Sequence, residues 1–353
     1  MSRARIERLV AELEGLGAES FLVTHPVNVF WLTGFESSNA ACLVSADGVV
    51  LATDGRYIEE ARHVVDVEPL QAERDLIAWI AGKLGDLAQG AVGFEADHVT
   101  VAQYEPLRES GVELVPSKGA LKGIRAVKSP DELNSIRASA AVNDAMYRRL
   151  AGESLVGRTE ADVAWWIVRT LREEGADAVG FDPIVAGGPS AAVPHHHPGE
   201  RPIGPNETVI VDAGATVDGY RSDCTRTFAT GELPDGLAEA YDLCRSAQAN
   251  ALAEVQAGGD ARAIDAVARQ EIEAAGIAPV LHGLGHGVGL EVHELPILSD
   301  ISEAILAPGN VVTVEPGVYL AGKGGVRIED LVIVEEGGAE VLTPFTKDLV
   351  TLV

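Results

Sequence analysis

The sequence predicts an α/β protein of two domains, and three observations carry that reading. Short apolar runs alternate with helical patterns over roughly the first 120 residues, a strong helix start at Ser129 opens a second region, and within that region one strand-and-turn frame occurs twice. A chain of 353 residues is also longer than one typical core organises. The expected division is residues 1–124 and 125–353.

In chain order, MSRARIERLVAELEGLG carries charge at Arg3, Arg5, Glu7, Arg8, Glu12 and Glu14, the pattern of an amphipathic surface helix and not of a secretory leader. SFLVT (20–24), ACLVSADGVVLAT (41–53) and GAVGFEA (90–96) read as strands, with Asp47-Gly48 as a hairpin turn inside the second. GRYIEEARHV (55–64) and ERDLIAWIAGKLGDL (73–87) read as helices. No convergent polar cluster stands out here, so this domain is expected to shape the substrate site or to dimerise. Ser129-Pro130-Asp131-Glu132 then combines an N-cap serine, a proline at the first helical position and a glutamate at N3. Thr159 to Asp162 repeats the device ahead of an amphipathic run in which Trp165 and Trp166 are expected in the core, and ARAIDAVARQEIEAAG (261–276) supplies a third helix.

The net charge of −27 repels phosphate backbones and anionic lipid, which excludes nucleic acid and membrane surfaces as partners. Three cysteines (Cys42, Cys224, Cys244) without CxxC spacing fit a reducing cytoplasm, and no run approaches the length of a membrane span.

The repeat is the most informative feature. PNETVIVDAG (205–214) and PGNVVTVEPG (308–317) share the frame P-x-x-x-V-x-V-[D/E]-x-G. Each strand ends in a carboxylate, Asp212 or Glu315, and each returning strand brings another, Asp223 or Glu329. A two-residue loop at Asp218-Gly219 sets Asp212 opposite Thr225, which leaves Asp212 and Asp223 on one face. Glu315 and Glu329 share a face if their loop is odd in length.

Between the two halves lies HGLGHGVGLEVHE (282–294), with His282 and His286 at the i,i+4 spacing of a helical metal claw. Its alternating glycines argue against a helix, each costing about 1 kcal/mol there relative to alanine; they are expected to let the backbone run close to metal and substrate. Four carboxylates in one cleft repel unless their pKa values rise or a cation sits between them. With His286 added, Asp212, Asp223, Glu315 and Glu329 suffice to hold two divalent ions. Mostly oxygen donors favour Mn2+ or Co2+, with Zn2+ also compatible, and a two-metal centre of this kind supports hydrolysis.

The motifs VDAGATVDGYRSDCTRTF, HGLGHGVGLEVHE, VEPGVYL and GGVRIED resemble the ligand motifs of the pita-bread (M24) metallopeptidases: methionine aminopeptidase, aminopeptidase P and prolidase, with creatinase as a metal-free relative. The resemblance covers 125–353 closely, and the first part is similar to the smaller creatinase-type α/β domain. It implies a pita-bread domain built on a pseudo-twofold repeat. It also implies Asp212, Asp223, His286, Glu315 and Glu329 as ligands, Asp223 and Glu329 bridging, and a metal-bridging hydroxide whose proton Glu315 shuttles. His293 matches a histidine that stabilises the tetrahedral intermediate, and His195 another substrate contact. His282 would line the pocket, while His196 and His197 are expected as idle loop residues.

Arg327, on the face of Glu329, and Tyr319 match the proline-directed branch; the arginine is expected to keep Glu329 ionised. The implied substrates are Xaa-Pro dipeptides, or longer Xaa-Pro peptides if the chain is an aminopeptidase P, and the implied assembly is a homodimer. Some prolidases carry an arginine soon after VHE; here that position is Ile297, and Arg56, Arg201 and Lys323 are the candidate replacements. The compact length leans towards the dipeptidase. A non-catalytic pita-bread binding protein and a creatinase-like C–N hydrolase, which lacks the full ligand set, are the remaining alternatives.

Overall fold

The computed structural model describes residues 2–277 and 282–352. The chain divides into two compact units, Met1–Ile124 and Arg125–Val353. In chain order the first contains α1 (Ser2–Glu12), β1 (Ser20–Val23), α2 (Pro26–Thr33), β2 (Ala40–Ser45), β3 (Gly48–Thr53), α3 (Ile58–Ala61), β4 (Glu68–Gln71), α4 (Leu76–Ala81), α5 (Leu84–Leu87), β5 (Val92–Glu95), α6 (Val101–Glu109) and β6 (Leu114–Ser117), with α7 (Ala120–Ala126) running across the boundary. Its six strands form one mixed sheet in the order β4-β3-β2-β1-β5-β6.

Three expectations shift here. Ser45 pairs with Gly48, so the β2–β3 turn is Ala46-Asp47, one residue earlier than Asp47-Gly48 suggested. The run 73–87 is two short helices parted at Gly82-Lys83, and of 55–64 only Ile58–Ala61 is helical. Glycine is a poor helix residue, and these segments are too short for their apolar face to override it.

The second unit contains α8 (Pro130–Leu150), α9 (Glu160–Glu173), β7 (Ala178–Val179), β8 (Ile184–Gly187), β9 (Thr208–Ala213), β10 (Ala215–Val217), β11 (Tyr220–Arg221), β12 (Cys224–Ala229), α10 (Leu237–Ala253), α11 (Ala261–Ala274), β13 (Gly285–Gly287), β14 (Glu294–Leu298), β15 (Val311–Val314), β16 (Gly317–Leu320), β17 (Gly324–Arg327), β18 (Asp330–Glu335) and β19 (Gly338–Val341). Both capping boxes form. The Ser129 hydroxyl accepts from Glu132 N while the Glu132 carboxylate accepts from Ser129 N, and Thr159 and Asp162 do the same for α9. On α9, Val163, Trp166, Ile167, Thr170 and Leu171 form the buried face. Trp165 falls on the opposite face and is 68% exposed, so it is not a core residue.

Each half of this unit buries its strands beneath its own pair of helices. Met146, Tyr147 and Leu150 of α8 and Val163, Ile167 and Leu171 of α9 pack on Val209, Val211 and Phe228. In the second half α10 and α11 pack through Ala247, Ala251, Ile264 and Ile272 on Val312, Val314, Val326 and Val332. The strand registers follow from the turns. Asp218 (φ 51°) and Gly219 (φ 80°) close a two-residue loop of the kind that matches strand twist, Val217 pairs with Tyr220, and Asp212 stands opposite Thr225. In the second hairpin Leu320 pairs with Gly324 around a three-residue loop, and Val314 pairs with Asp330. Glu315 therefore stands opposite Glu329.

The stretch 282–294 is not helical; it holds β13 between β14 and β15. At Gly285 a side chain would overlap the carbonyl oxygen of Thr313 on β15. At this position the glycine is needed for strand-to-strand approach. Among the described residues no helix is long and apolar enough to cross a membrane. Gly285→Ala is expected to destabilise the fold by at least about 1–3 kcal/mol, because a backbone oxygen cannot rotate away; equilibrium denaturant unfolding measures it.

Candidate metal centre

The two hairpins and β13 deliver their polar side chains to one cavity of about 350 Å³, whose lining includes Asp212, Asp223, His282, His286, His293, His195, Glu315 and Arg327. Asp212 ends β9, Asp223 leads into β12, Glu315 follows β15, and Glu329 sits between β17 and β18. Ligand atoms of Asp223, His286 and Glu329 lie within 4.8 Å of one another. His286 Nε2 is 3.1 Å from Glu315 Oε1 and 3.7 Å from Asp223 Oδ2. Backbone bonds hold the pieces together: Glu315 N donates to Leu284 O (2.8 Å) and Glu329 N to Thr225 O (3.1 Å).

Burial and mutual repulsion dominate the electrostatics. Asp223 is pushed well above the usual carboxylate range by burial, then by the charges of Glu329, Asp212 and Glu315. Burial followed by Glu315 and Asp212 does the same to Glu329. Asp212 also rises through burial, with Arg327 opposing. Glu315 differs. Burial would raise it, but the hydrogen bond and charge of His286 prevail and bring it down to about 2. Burial would lower His286, but the hydrogen bond and charge of Glu315, with the Gly287 carbonyl and the charge of Asp212, together raise it.

Two carboxylate oxygens, Asp212 Oδ1 and Glu329 Oε1, are buried with no hydrogen-bond partner among the described residues. Buried acceptors of that kind are rare and costly. An oxygen-rich set with one imidazole and two unanswered oxygens fits divalent cations.

Arg327 departs from expectation. Its Nη2 lies 2.6 Å from Asp212 Oδ2, so its carboxylate partner belongs to the first hairpin and not to Glu329. Its charge still favours the ionised form of Glu329, as expected, but the hydrogen-bonded path between them runs through Thr225, whose hydroxyl accepts from Arg327 Nε (3.1 Å) and donates to Glu329 Oε2 (2.7 Å). Its Nη1 donates to the Tyr319 hydroxyl at 3.2 Å, which lies 2.9 Å from His282 Nε2. Thr225 was not singled out from the sequence, nor was Thr313, whose hydroxyl donates to Glu315 Oε1 and accepts from His286 N. Period two marks both: Thr225 is opposite Asp212, and Thr313 is two residues before Glu315.

The His293 ring packs edge-on to His286 with centroids 4.4 Å apart. Burial, the charge of His286 and, among smaller effects, that of Arg221 hold its pKa below the ordinary value. His195 is an exposed wall residue, and burial lowers His282. His196 is not an idle loop residue: its Nε2 lies 2.7 Å from the buried Glu160 carboxylate, which also accepts from Gly187 N and Gly199 N. His197 is exposed.

Next to His293, Glu294 is almost fully buried and clasped by two cations. Its carboxylate meets Arg125 Nη2 and, at 3.2 Å, Lys128 Nζ, with side chains 5%, 2% and 1% exposed. It also accepts from Glu291 N at 3.0 Å, which fixes the 291–294 loop.

Three buried acids, the partly exposed Glu315 and a histidine gathered in one place have the chemistry of a metal-dependent hydrolase. Residues 134–336 match the metallopeptidase family M24, and residues 5–127 match the creatinase/prolidase N-terminal domain. The chain is 36% identical to an uncharacterized peptidase of Bacillus subtilis, YqhT, over 99% of this chain and 100% of that one. A solved Xaa-Pro dipeptidase from Bacillus anthracis superposes with a TM-score of 0.95 at 34% identity, covering 100% of both chains. An X-Pro aminopeptidase from Thermotoga maritima gives 0.89 at 31% identity, covering 98% of this chain and 99% of that one. The chain belongs to metallopeptidase family M24, with a pita-bread catalytic domain behind a creatinase-type N-terminal domain.

Glu294→Gln is expected to cost about 3–5 kcal/mol in unfolding free energy, since it takes the ion-pair partner from the buried Lys128 and leaves Arg125 with Glu291 as its carboxylate. Denaturant titration of the metal-free protein gives the value.

Proposed function

We propose that this chain is a proline-directed exopeptidase that hydrolyses Xaa-Pro bonds, with dipeptides as the favoured substrates. The observation that carries the reading is the convergence of Asp212, Asp223, His286 and Glu315 on one cavity, with Glu329 within reach of Asp223 and His286, two of the carboxylate oxygens unpartnered among the described residues, beside the Arg327–Tyr319–His282 chain. Two divalent ions, Mn2+ or Co2+ and alternatively Zn2+, would be held by those five residues with Asp223 and Glu329 shared, and would supply an activated water and a polarised carbonyl.

The remaining work falls to the chain itself. Glu315, ionised, accepts the proton released by the attacking water and passes it towards the leaving imino nitrogen of proline. His293 donates to the carbonyl oxygen as it gains charge, with His195 a second contact on the cavity wall. Arg327, at 2.6 Å, favours the ionised form of Asp212 against burial and holds the Tyr319 hydroxyl, which fixes His282 as wall. Phe181, Ile184, Val292 and Ile297 add apolar lining suited to a proline ring and a small side chain.

A second reading, removal of the first residue from longer Xaa-Pro peptides, is favoured by Ile297, an apolar wall residue where a dipeptidase would gain from a cation. Faster cleavage of Ala-Pro than of Ala-Pro-Ala supports the dipeptidase; comparable or faster tripeptide cleavage overturns it. Asp223→Asn is expected to empty both metal positions by elemental analysis and to abolish activity. His293→Ala should keep its metal and lose about 10²–10³ in kcat.

A further inference from the structure

A dipeptidase must pair the free carboxylate of its substrate with a cation, since a desolvated, unpaired carboxylate weakens binding. The candidate replacements from the sequence are otherwise engaged or exposed. Arg56 pairs with Asp54, Arg201 with Glu207, and Lys323 is exposed on the three-residue loop between β16 and β17. Arg327 is committed to Asp212, Thr225, Tyr319 and the Pro194 carbonyl.

Arg221 is different. It is half-buried, its side chain makes no hydrogen bond or ion pair among the described residues, and its Nε is shielded from solvent without an acceptor. Its direction follows from the strand. Tyr220 and Ser222 point to α8, where their hydroxyls bond Glu132 (2.8 Å) and Ser139 (3.0 Å), and Cys224 joins the core on that side. Arg221 therefore shares the opposite face with Asp223 and Thr225, the face of the metal centre. Its backbone N donates to Gly289 O at 2.8 Å, which sets it at the base of the loop that carries Val292 and His293 into the cavity.

We propose that Arg221 receives the C-terminal carboxylate of the substrate and thereby makes the chain selective for dipeptides. The inference rests on the proline-directed reading and adds the substrate's charged end to it. It also gives Ile297 a place as apolar wall, since the cation comes from the first hairpin and not from the segment after VHE.

The test compares Ala-Pro with Ala-Pro-amide, which has the same size and lacks the charge, on the metal-loaded wild type, Arg221→Met and Arg221→Lys. The wild type should prefer the free acid. Arg221→Met should raise KM for Ala-Pro by about 10- to 100-fold with little change for the amide, and Arg221→Lys should recover most of the loss. Metal content and thermal midpoint, measured alongside, should match the wild type. Equal treatment of acid and amide by the wild type overturns the inference without recourse to any variant, as does an equal effect of Arg221→Met on both. A wild type that cleaves neither of these nor Ala-Pro-Ala overturns the proline-directed reading, and this inference with it.

Discussion

Mutual repulsion among buried carboxylates is the constraint on which the rest of the catalytic unit depends. Asp212, Asp223 and Glu329 are buried, Glu315 is partly so, and all four lie within each other's field; burial alone already pushes the first three towards protonation. Such a cluster persists only if the backbone that carries it is rigid and if positive charge answers it. Rigidity comes from two hairpins, each with its helix pair packed behind it. Of the positive charge, the chain itself supplies Arg327 and the His286 ring, and the unpartnered oxygens leave a place for more.

The two hairpins are alike in construction and unlike in offset. Glu329 stands opposite Glu315, but the residue opposite Asp212 is Thr225, and the second acid of the first hairpin comes two residues earlier. Thr225 and Glu329 thus hold equivalent places, and they touch: the hydroxyl donates to the carboxylate, and Glu329 N donates to Thr225 O. A second glutamate at 225 would have added a fifth charge at the point where the halves meet. Threonine instead relays Arg327 to Glu329 and spares the cluster that repulsion.

Much of this arrangement was legible because it depends on period two and turn length, which are local properties. The Asp218-Gly219 loop fixed the pairing of Asp212 with Thr225, and an odd loop placed Glu315 and Glu329 on one face. What escaped depends on long side chains and on contacts far apart in sequence. Arg327 reaches Asp212 on the other hairpin, 115 residues away, and no strand pattern states that preference. His196 resembled its neighbour His197 until Glu160, 36 residues earlier, claimed it. Trp165 and Trp166 differ only in helical phase, and their apolar character hid which one faced outward. The glycines of 282–294 were expected to admit metal, but at Gly285 the close neighbour is the backbone of β15.

The clasp around Glu294 bears on where the catalytic unit begins. The family match starts at residue 134, and the capping box at Ser129 makes α8 an inviting first element. Arg125 and Lys128 precede both, yet their charges neutralise a carboxylate beside His293 deep in the second half of the unit. The segment that looks like a linker is therefore an inward-facing part of the active-site scaffold. A catalytic unit cut at Ser129 would leave Glu294 buried without either cation. Charge balance around Glu294 thus ties the catalytic unit to residues several positions upstream of the place where secondary structure would start it.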